Sequence, residues 1–170
     1  MTDPIRIWHI SDTHMNHEKL VVPEGIDLVI HSGDASNYRD PFRNEPELRA
    51  FLTWFASVPI PNKIFVPGNH EYDGMPFEEA HEKLQATCKR LDIVFLHQRV
   101  VVSSGVRFIG CTLWSDFEAL VPRTGPMTQQ LKARDKAERA ANFYLKKTGT
   151  TFQGEPFLSD AVRAQAQADQ

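Results

Sequence analysis

Short apolar runs alternate with amphipathic stretches along the first half of the chain. Three of the runs are bounded by turn-forming residues: Ile5–Ile10, Asp27–Ser32 and Lys63–Val66. Short apolar runs of this kind are typical of buried strands in a mostly parallel sheet. Glu45–Val58, between the second and third runs, has apolar residues at helical spacing. This order predicts a strand–helix–strand unit.

The pattern continues with one helix and a pair of strands. A helix is predicted over Pro76–Arg90, where the apolar residues share one face. The runs Arg99–Ser103 and Val106–Gly110 flank Ser104-Gly105, which is typical of a β-hairpin. The fold class is therefore α/β with an added antiparallel hairpin.

After Trp114 the pattern weakens. We predict a basic helix over Thr128–Lys147, a loop over Thr148–Pro156 and a last helix over Ser159–Gln170. The basic residues of the first of these helices are better explained by a solvated face than by a phosphate-binding patch.

Composition narrows the class of protein. With 170 residues, 41% of them hydrophobic, the chain has the size of one domain and can bury a core. We expect a single domain over residues 1–170, with the chemical motifs in 4–114 and a helical and loop tail over 115–170. The net charge is −3, from 19 basic and 22 acidic residues, and this does not favour nucleic acid as a partner.

Hydropathy, the N-terminal residues and the cysteines together predict the cellular compartment of the protein. The mean hydropathy is −0.38, and the apolar runs are too short for a transmembrane helix. The first residues lack the apolar centre of a secretory signal. Cys88 and Cys111 lie in no CxxC motif, so we expect free thiols. These features predict a cytoplasmic protein with no membrane partner.

Residues that can bind metals follow each of the three predicted strands. The clusters, in chain order, are Asp12-Thr13-His14, Gly33-Asp34 and Gly68-Asn69-His70-Glu71. Ligand sites of open α/β sheets lie outside the carboxyl ends of the strands, so we expect the clusters to converge. Carboxylates, an amide oxygen and imidazoles suit Mn, Fe, Zn or Mg. The sequence therefore predicts a metal site at this edge of the sheet.

The ordered motifs resemble those of the calcineurin-like metallophosphoesterases. The likeness covers residues 4–74 and continues more loosely to Gly110–Trp114. It implies a four-layer α/β/β/α sandwich with two divalent metal ions, of Mn, Fe, Zn or Mg type. It also implies hydrolysis of a small phosphomonoester or phosphodiester substrate by a metal-bound hydroxide.

The resemblance also implies a role for each matched residue. Asp12 and His14 would hold the first metal, Asp34 would bridge both metals, and Asn69 would bind the second. His70 would protonate the leaving group, a task that suits the pKa of histidine. Two cations at such a site stabilise the attacking and departing oxygens of an in-line displacement.

The sequence departs from the family pattern in its histidines. The resemblance implies three more, two of them in a Gly-His-x-His turn, but none of the seven histidines follows His97. We therefore expect a sandwich that is incomplete at its C-terminal side, as in a truncated chain, with impaired hydrolysis and as few as one metal held. The alternative is a non-catalytic remnant of the scaffold that binds a phosphate, a nucleotide or a partner.

Five other residues near the motifs have expected places. His9 and His31, inside predicted strands, are expected to be packed core histidines. His17 is expected to contact substrate or to lie in a solvated loop. Glu71 is expected to fix the loop around the site rather than to bind metal. Trp114 is expected to pack in the interior.

The hairpin implies a further kind of partner. Without later strands beside it, Arg99–Gly110 would present an unpaired apolar edge. Such edges pair readily with another chain, so self-association through this edge is expected.

Overall fold

The computed structural model describes residues 4–36, 44–119 and 121–168. Two single turns of 3-10 helix, His17–Lys19 and His70–Tyr72, lie in loops that follow strands. The strands and helices, in chain order, are β1 (Ile7–Ile10), β2 (Leu28–Ser32), α1 (Asn44–Ser57), β3 (Asn62–Val66), α2 (Phe77–Arg90), β4 (Val94–Phe95), β5 (Arg99–Ser103), β6 (Val106–Gly110), α3 (Met127–Thr148), β7 (Thr151–Phe152), β8 (Glu155–Pro156) and α4 (Ser159–Ala168).

The central sheet contains four parallel strands in the order β1-β2-β3-β4. Ile7 of β1 lies beside Leu28 of β2, which in turn lies beside Asn62 of β3. This pairing confirms the predicted α/β class with its parallel sheet. Because parallel strands end at the same edge, the loops after β1, β2 and β3 come together there. The two-residue strand β4 was not predicted.

Two apolar clusters cover the two faces of this sheet. On one face, α1 and α2 bury a core that includes Phe51 and Phe55, both fully buried. On the other face, Leu28 and Ile64 of the sheet pack with Phe108 of the hairpin. The sheet thus lies between a helical layer and the β5–β6 hairpin.

The hairpin has the bounds that the sequence predicts. Its inner residues contact the sheet, whereas its outer residues are exposed, with 63% of Val102 and 74% of Ile109 accessible. Val100 lies opposite Ile109 and Val102 lies opposite the exposed Arg107, so the outer face carries three apolar side chains and one arginine. In the parts of the chain that the structure describes, no helix has both the length and the apolar character needed to cross a bilayer.

The segment after α3 corrects one expectation. Part of the predicted loop over Thr148–Pro156 is a small antiparallel ribbon, β7–β8, which turns at Gln153 and Gly154. Both turn residues have positive φ, 52° and 84°, as tight hairpin turns require. Phe157 follows the ribbon and is buried in the core on the helical face of the sheet. The tail therefore packs against the rest of the described fold.

Two of the three histidine expectations are wrong. His31 is fully buried, as expected, but His9 is exposed. The two rings lie on opposite faces of the sheet. His9, on the edge strand β1, is in register with Ile30 on the hairpin face, whereas His31 is in register with Phe65 on the helical face, where it packs against Phe51. His17 is neither solvated nor open to a ligand, because it is 4% exposed and its ring packs against Phe51 and Trp54.

The buried ring of His31 makes a testable prediction about stability. Burial lowers the pKa of His31 to about 3. Between about pH 6.5 and pH 3, the unfolded chain therefore binds a proton at this residue that the folded chain does not bind. Stability must fall as the pH falls through this range, by about 1.4 kcal/mol per pH unit for this group. Urea unfolding of the wild type and of His31→Phe between pH 7 and pH 5 will measure how much of the pH dependence of the unfolding free energy comes from His31.

The expected result is a shallower pH dependence of the unfolding free energy in His31→Phe. The absolute stability of this variant is not the readout, because the substitution also removes the contact of His31 with Thr13. His9→Gln is the matched control and should keep the wild-type slope. Equal slopes for all three proteins would contradict the assignment.

Candidate metal centre

The loops after β1 and β2 are held together by main-chain hydrogen bonds. The N–H of Asp12 donates to the carbonyl of Gly33 at 3.0 Å, and the N–H of His14 donates to the carbonyl of Asp34 at 3.1 Å. These bonds continue the pairing of β1 with β2 beyond the ends of both strands. The predicted metal-binding residues of the two loops are therefore neighbours through their backbone.

The backbone at these residues has an unusual conformation. Asp12, His14 and Asp34 all have positive φ, at 52°, 42° and 56°. Asp and His enter this left-handed region more readily than most residues, but the conformation still costs about 1–3 kcal/mol at each position. Strain of this kind clusters at functional sites, where the rest of the fold maintains it.

These three residues form a compact group of potential ligands. One ligand atom from each of Asp12, His14 and Asp34 lies within 4.8 Å of the other two. Two carboxylate oxygens and an imidazole nitrogen are donors that suit divalent Mn, Fe or Zn. The side chains present thus fit a divalent cation in number, spacing and chemistry.

Two glycines permit the close approach of the loops after β2 and β3. Gly33 has φ of 84°, and a Cβ there would lie 2.4 Å from the main-chain nitrogen of Gly68. A Cβ on Gly68 would lie 2.2 Å from Oδ1 of Asp34. A larger residue at Gly33 would push the two loops apart, and a larger residue at Gly68 would displace the carboxylate of Asp34.

A buried carboxylate ties the same two loops together. Glu71 is fully buried and accepts hydrogen bonds from the N–H groups of Asp34 at 2.9 Å, Ala35 at 2.8 Å and Gly68 at 2.5 Å. Burial, and then the charge of Asp34, raise the pKa of Glu71, while these N–H donors oppose that rise. Glu71 therefore has the loop-fixing place that the sequence analysis expected.

The ring of His14 is oriented for binding through Nε2. Its Nδ1 lies 3.1 Å from the carbonyl oxygen of Ser36. Because a carbonyl oxygen only accepts, Nδ1 carries the proton of this bond and Nε2 keeps a lone pair. Fixing a histidine tautomer through its second nitrogen is the usual arrangement at metal sites.

His70 lies beside this group of ligands. Its ring centroid is 5.5 Å from that of His14. The main-chain N–H of His70 donates to Oδ1 of Asp34 at 3.3 Å. Its Nδ1–H donates to Oδ2 of Asp73 at 2.6 Å. This bond raises the pKa of His70 and outweighs the opposing effect of burial. The protonated ring is therefore favoured here compared with a free histidine.

A cleft opens along these residues. It has a volume of about 770 Å³ and is lined by Asp12, Asp34 and Asn69 at one side. Asn69 is exposed, directly before His70 in the chain. All five residues that the sequence analysis selected, from Asp12 to His70, therefore meet in one place.

The structure adds a residue that the sequence analysis missed. Asp73, 2% exposed, holds the ring of His70 from one turn further along the chain. The signal was the spacing of three residues between His70 and Asp73, which brings two side chains together on a helical turn. Trp114, expected to pack inside, is partly buried against Tyr72, Phe77 and Phe157 and also lines the cleft.

The chain is similar in sequence to known proteins. The family model described as calcineurin-like phosphoesterase matches residues 5–138, which is more than half of the chain. A human protein named metallophosphoesterase domain-containing protein 1 is 37% identical over 62 residues, covering 36% of this chain and 18% of that protein. A UPF0046 protein from Caenorhabditis elegans is 30% identical over 119 residues, covering 64% of this chain and 39% of that protein. The chain thus spans less than half the length of these curated relatives.

One solved structure shares the fold. The phosphopantetheinyl hydrolase of Mycobacterium tuberculosis superposes with a TM-score of 0.66 at 18% sequence identity. The match covers 96% of this chain and 60% of the hydrolase chain. The likeness extends through the hairpin and the tail as well as the central sheet.

Proposed function

Because the chain belongs to the calcineurin-like phosphoesterase family, we propose that it hydrolyses phosphoric esters with divalent cations bound at the ends of β1, β2 and β3. The observation that carries the proposal is the grouping of Asp12, His14 and Asp34, whose ligand atoms lie within 4.8 Å of one another. The fold neighbour from Mycobacterium tuberculosis is named a phosphopantetheinyl hydrolase, which supports the same class of chemistry.

The proposed ligands divide between two cations. Asp12, His14 and Asp34 would hold one of them, and Asp34 with Asn69 would contribute to a second. A divalent cation in such a site offsets the negative charge of the phosphoryl group and lowers the pKa of water. The described residues supply three strong ligands for the first cation and fewer for the second, so we expect the first to bind more tightly.

The remaining residues act on the leaving group and on the shape of the site. In the hydrolysis, water adds to phosphorus, the bond from phosphorus to the alcohol oxygen breaks, and the alcohol leaves with a proton. His70, in its protonated form, would donate that proton from beside the ligand group. Asp73 would orient the ring of His70, and Glu71 would keep the loops after β2 and β3 in place.

Metal-dependent turnover tests this function. The purified chain should release p-nitrophenolate from p-nitrophenyl phosphate or from bis(p-nitrophenyl) phosphate only with added Mn²⁺, Mg²⁺ or Zn²⁺. EDTA should reduce the rate about a hundredfold or more, because a catalytic cation contributes several kcal/mol to the transition state. The rate must recover when the metal is restored in excess.

The same experiment separates the second candidate function, a non-catalytic binding module. Its supporting observation is that, among the described residues, the group of His, Asp or Glu side chains spaced to hold a cation contains three members, Asp12, His14 and Asp34. Phosphate binding that EDTA does not change, with no turnover under any of the three metals, would favour this function instead. Self-association through an exposed sheet edge at the hairpin and a cytoplasmic location both stay predictions.

A further inference from the structure

The cleft beside the ligand group has walls of opposite character. Its acidic side carries Asp12 and Asp34, and no Lys or Arg is found among the described residues that line it. The rest of the lining includes apolar and aromatic side chains from the end of β6, the segment after it and α3, which together are called the apolar wall. Those that matter here are Ile109, Leu113, Tyr144 and Leu145.

Several of these apolar side chains are open to solvent. Leu113 is 91% exposed, Ile109 is 74% exposed and Tyr144 is 68% exposed. Exposed apolar side chains that are grouped and joined to a polar site mark a binding surface more often than isolated ones do. Here they continue into the cleft that holds the proposed metal ligands, in the usual pattern of a mainly apolar pocket with a few polar groups.

We propose that this wall, with Leu113 and Tyr144 as its main contacts, selects phosphoesters whose alcohol portion is a single apolar group, aromatic or aliphatic. The inference rests on the proposed function and adds the substrate class. The phosphoryl group would lie at the acidic side with the cations, and the apolar group would lie along the wall. A substrate with further phosphates would place negative charge in a cleft whose described lining holds two carboxylates and no basic side chain.

Binding of phosphonates tests this selection without any need for turnover. Phenylphosphonate, hexylphosphonate and methylphosphonate are titrated calorimetrically into the full chain with Mn²⁺ present. Contact of the phenyl or hexyl group with the wall should make both bind about tenfold tighter than methylphosphonate. In a Leu113→Ala/Tyr144→Ala variant the three affinities should agree within about twofold. Both residues are exposed, so this variant is expected to keep its fold.

Phe143→Ala is the matched control. Phe143 lies next to Tyr144 on α3 and is 62% exposed, but its ring lies under Nζ of Lys147 and is not part of the cleft lining. This variant should keep the wild-type preference. Tyr144→Phe should keep it as well, because the contact is made by the ring.

Three results would overturn the inference. They are equal affinities for the three phosphonates in the wild type, a preference that survives in the double variant, or no binding of any phosphonate. Failure of the proposed function is read separately, from p-nitrophenolate release. Metal-dependent release together with equal phosphonate affinities would reject only the apolar wall. A clear phosphonate preference without any release would reject hydrolysis and retain the wall.

Discussion

Replacing Asp34 with asparagine is expected to lower kcat/KM for metal-supported ester hydrolysis about a thousandfold. The carboxylate of Asp34 is the one group that the proposal places at both cations. Asparagine keeps an oxygen near the N–H of His70 but removes the negative charge that binds a cation. The loss of several kcal/mol of transition-state stabilisation from the cations corresponds to this factor. Steady-state rates with p-nitrophenyl phosphate and Mn²⁺ will measure it.

Thermal unfolding gives a readout that does not depend on turnover. A ligand present at 100 times its Kd stabilises a protein by about 2.7 kcal/mol, so Mn²⁺ should raise the melting temperature of the wild type. Asp34→Asn should lose this rise. Without metal, the variant should be at least as stable as the wild type, because the charge of Asp34 disfavours the charged form of the buried Glu71.

Asp92→Asn is the matched control for this substitution. Asp92 also has positive φ, at 56°, and is exposed away from the cleft, so the variant makes the same chemical change in the same backbone conformation. It should keep both the activity and the metal-induced stabilisation. The assigned site is wrong if the folded Asp34→Asn variant keeps the wild-type rate or keeps the metal-induced rise in melting temperature.

The place of the site, in contrast to its details, could be predicted from the sequence. Apolar runs that end in polar clusters indicate parallel strands, and parallel strands bring their carboxyl ends to one edge. Asp12, Asp34 and His70 lie close together, as the strand assignments predict, because the geometry of the sheet brings the clusters at its strand ends to one another.

The surroundings of the site were harder to predict. Apolar periodicity shows neither which face of a strand the helices cover nor whether the strand lies at an edge, so His9 and His31 received the same interpretation although only His31 is buried. The β7–β8 ribbon turns at Gln153-Gly154, which lacks the Asn-Gly or Asp-Gly signal of a tight hairpin. The spacing of three residues between His70 and Asp73 indicates their bond only once the single helical turn at His70–Tyr72 is known, and a turn this short has no apolar periodicity to predict it.

The buried clamp at Glu71 connects stability with the proposed activity. Its carboxylate binds the main chain of the loops after β2 and β3, and these loops carry Asp34 and Asn69. Asp34 lies so close that its charge raises the pKa of Glu71. The fold thus holds two carboxylates near one another. A divalent cation at Asp34 would offset this repulsion, so the same arrangement that weakens the metal-free fold favours metal binding.

His70→Gln is expected to impair hydrolysis to an extent that depends on the leaving group. A general acid contributes about 10²–10⁴-fold when the departing alkoxide needs a proton. We expect a loss of about a thousandfold with phenethyl phosphate, whose alkoxide is a strong base, and less than about tenfold with p-nitrophenyl phosphate, whose phenolate leaves without help. Parallel kcat/KM measurements on the two esters, with the same metal, give the ratio directly.

Asp73→Asn tests how much the orientation of the His70 ring, as distinct from its presence, contributes to hydrolysis. Asp73 contacts His70 through the 2.6 Å bond to Nδ1 and acts through that ring. Asp73→Asn should therefore lose more activity on phenethyl phosphate than on p-nitrophenyl phosphate, as His70→Gln does, but with a smaller loss of kcat/KM. Replacing the exposed His9 with glutamine should change neither ester. A general loss of fold or metal binding would slow both esters equally, because each needs the same cations. Equal losses of kcat/KM on the two esters in His70→Gln would therefore contradict the role of His70 as the general acid. They would favour a structural or metal-binding role instead.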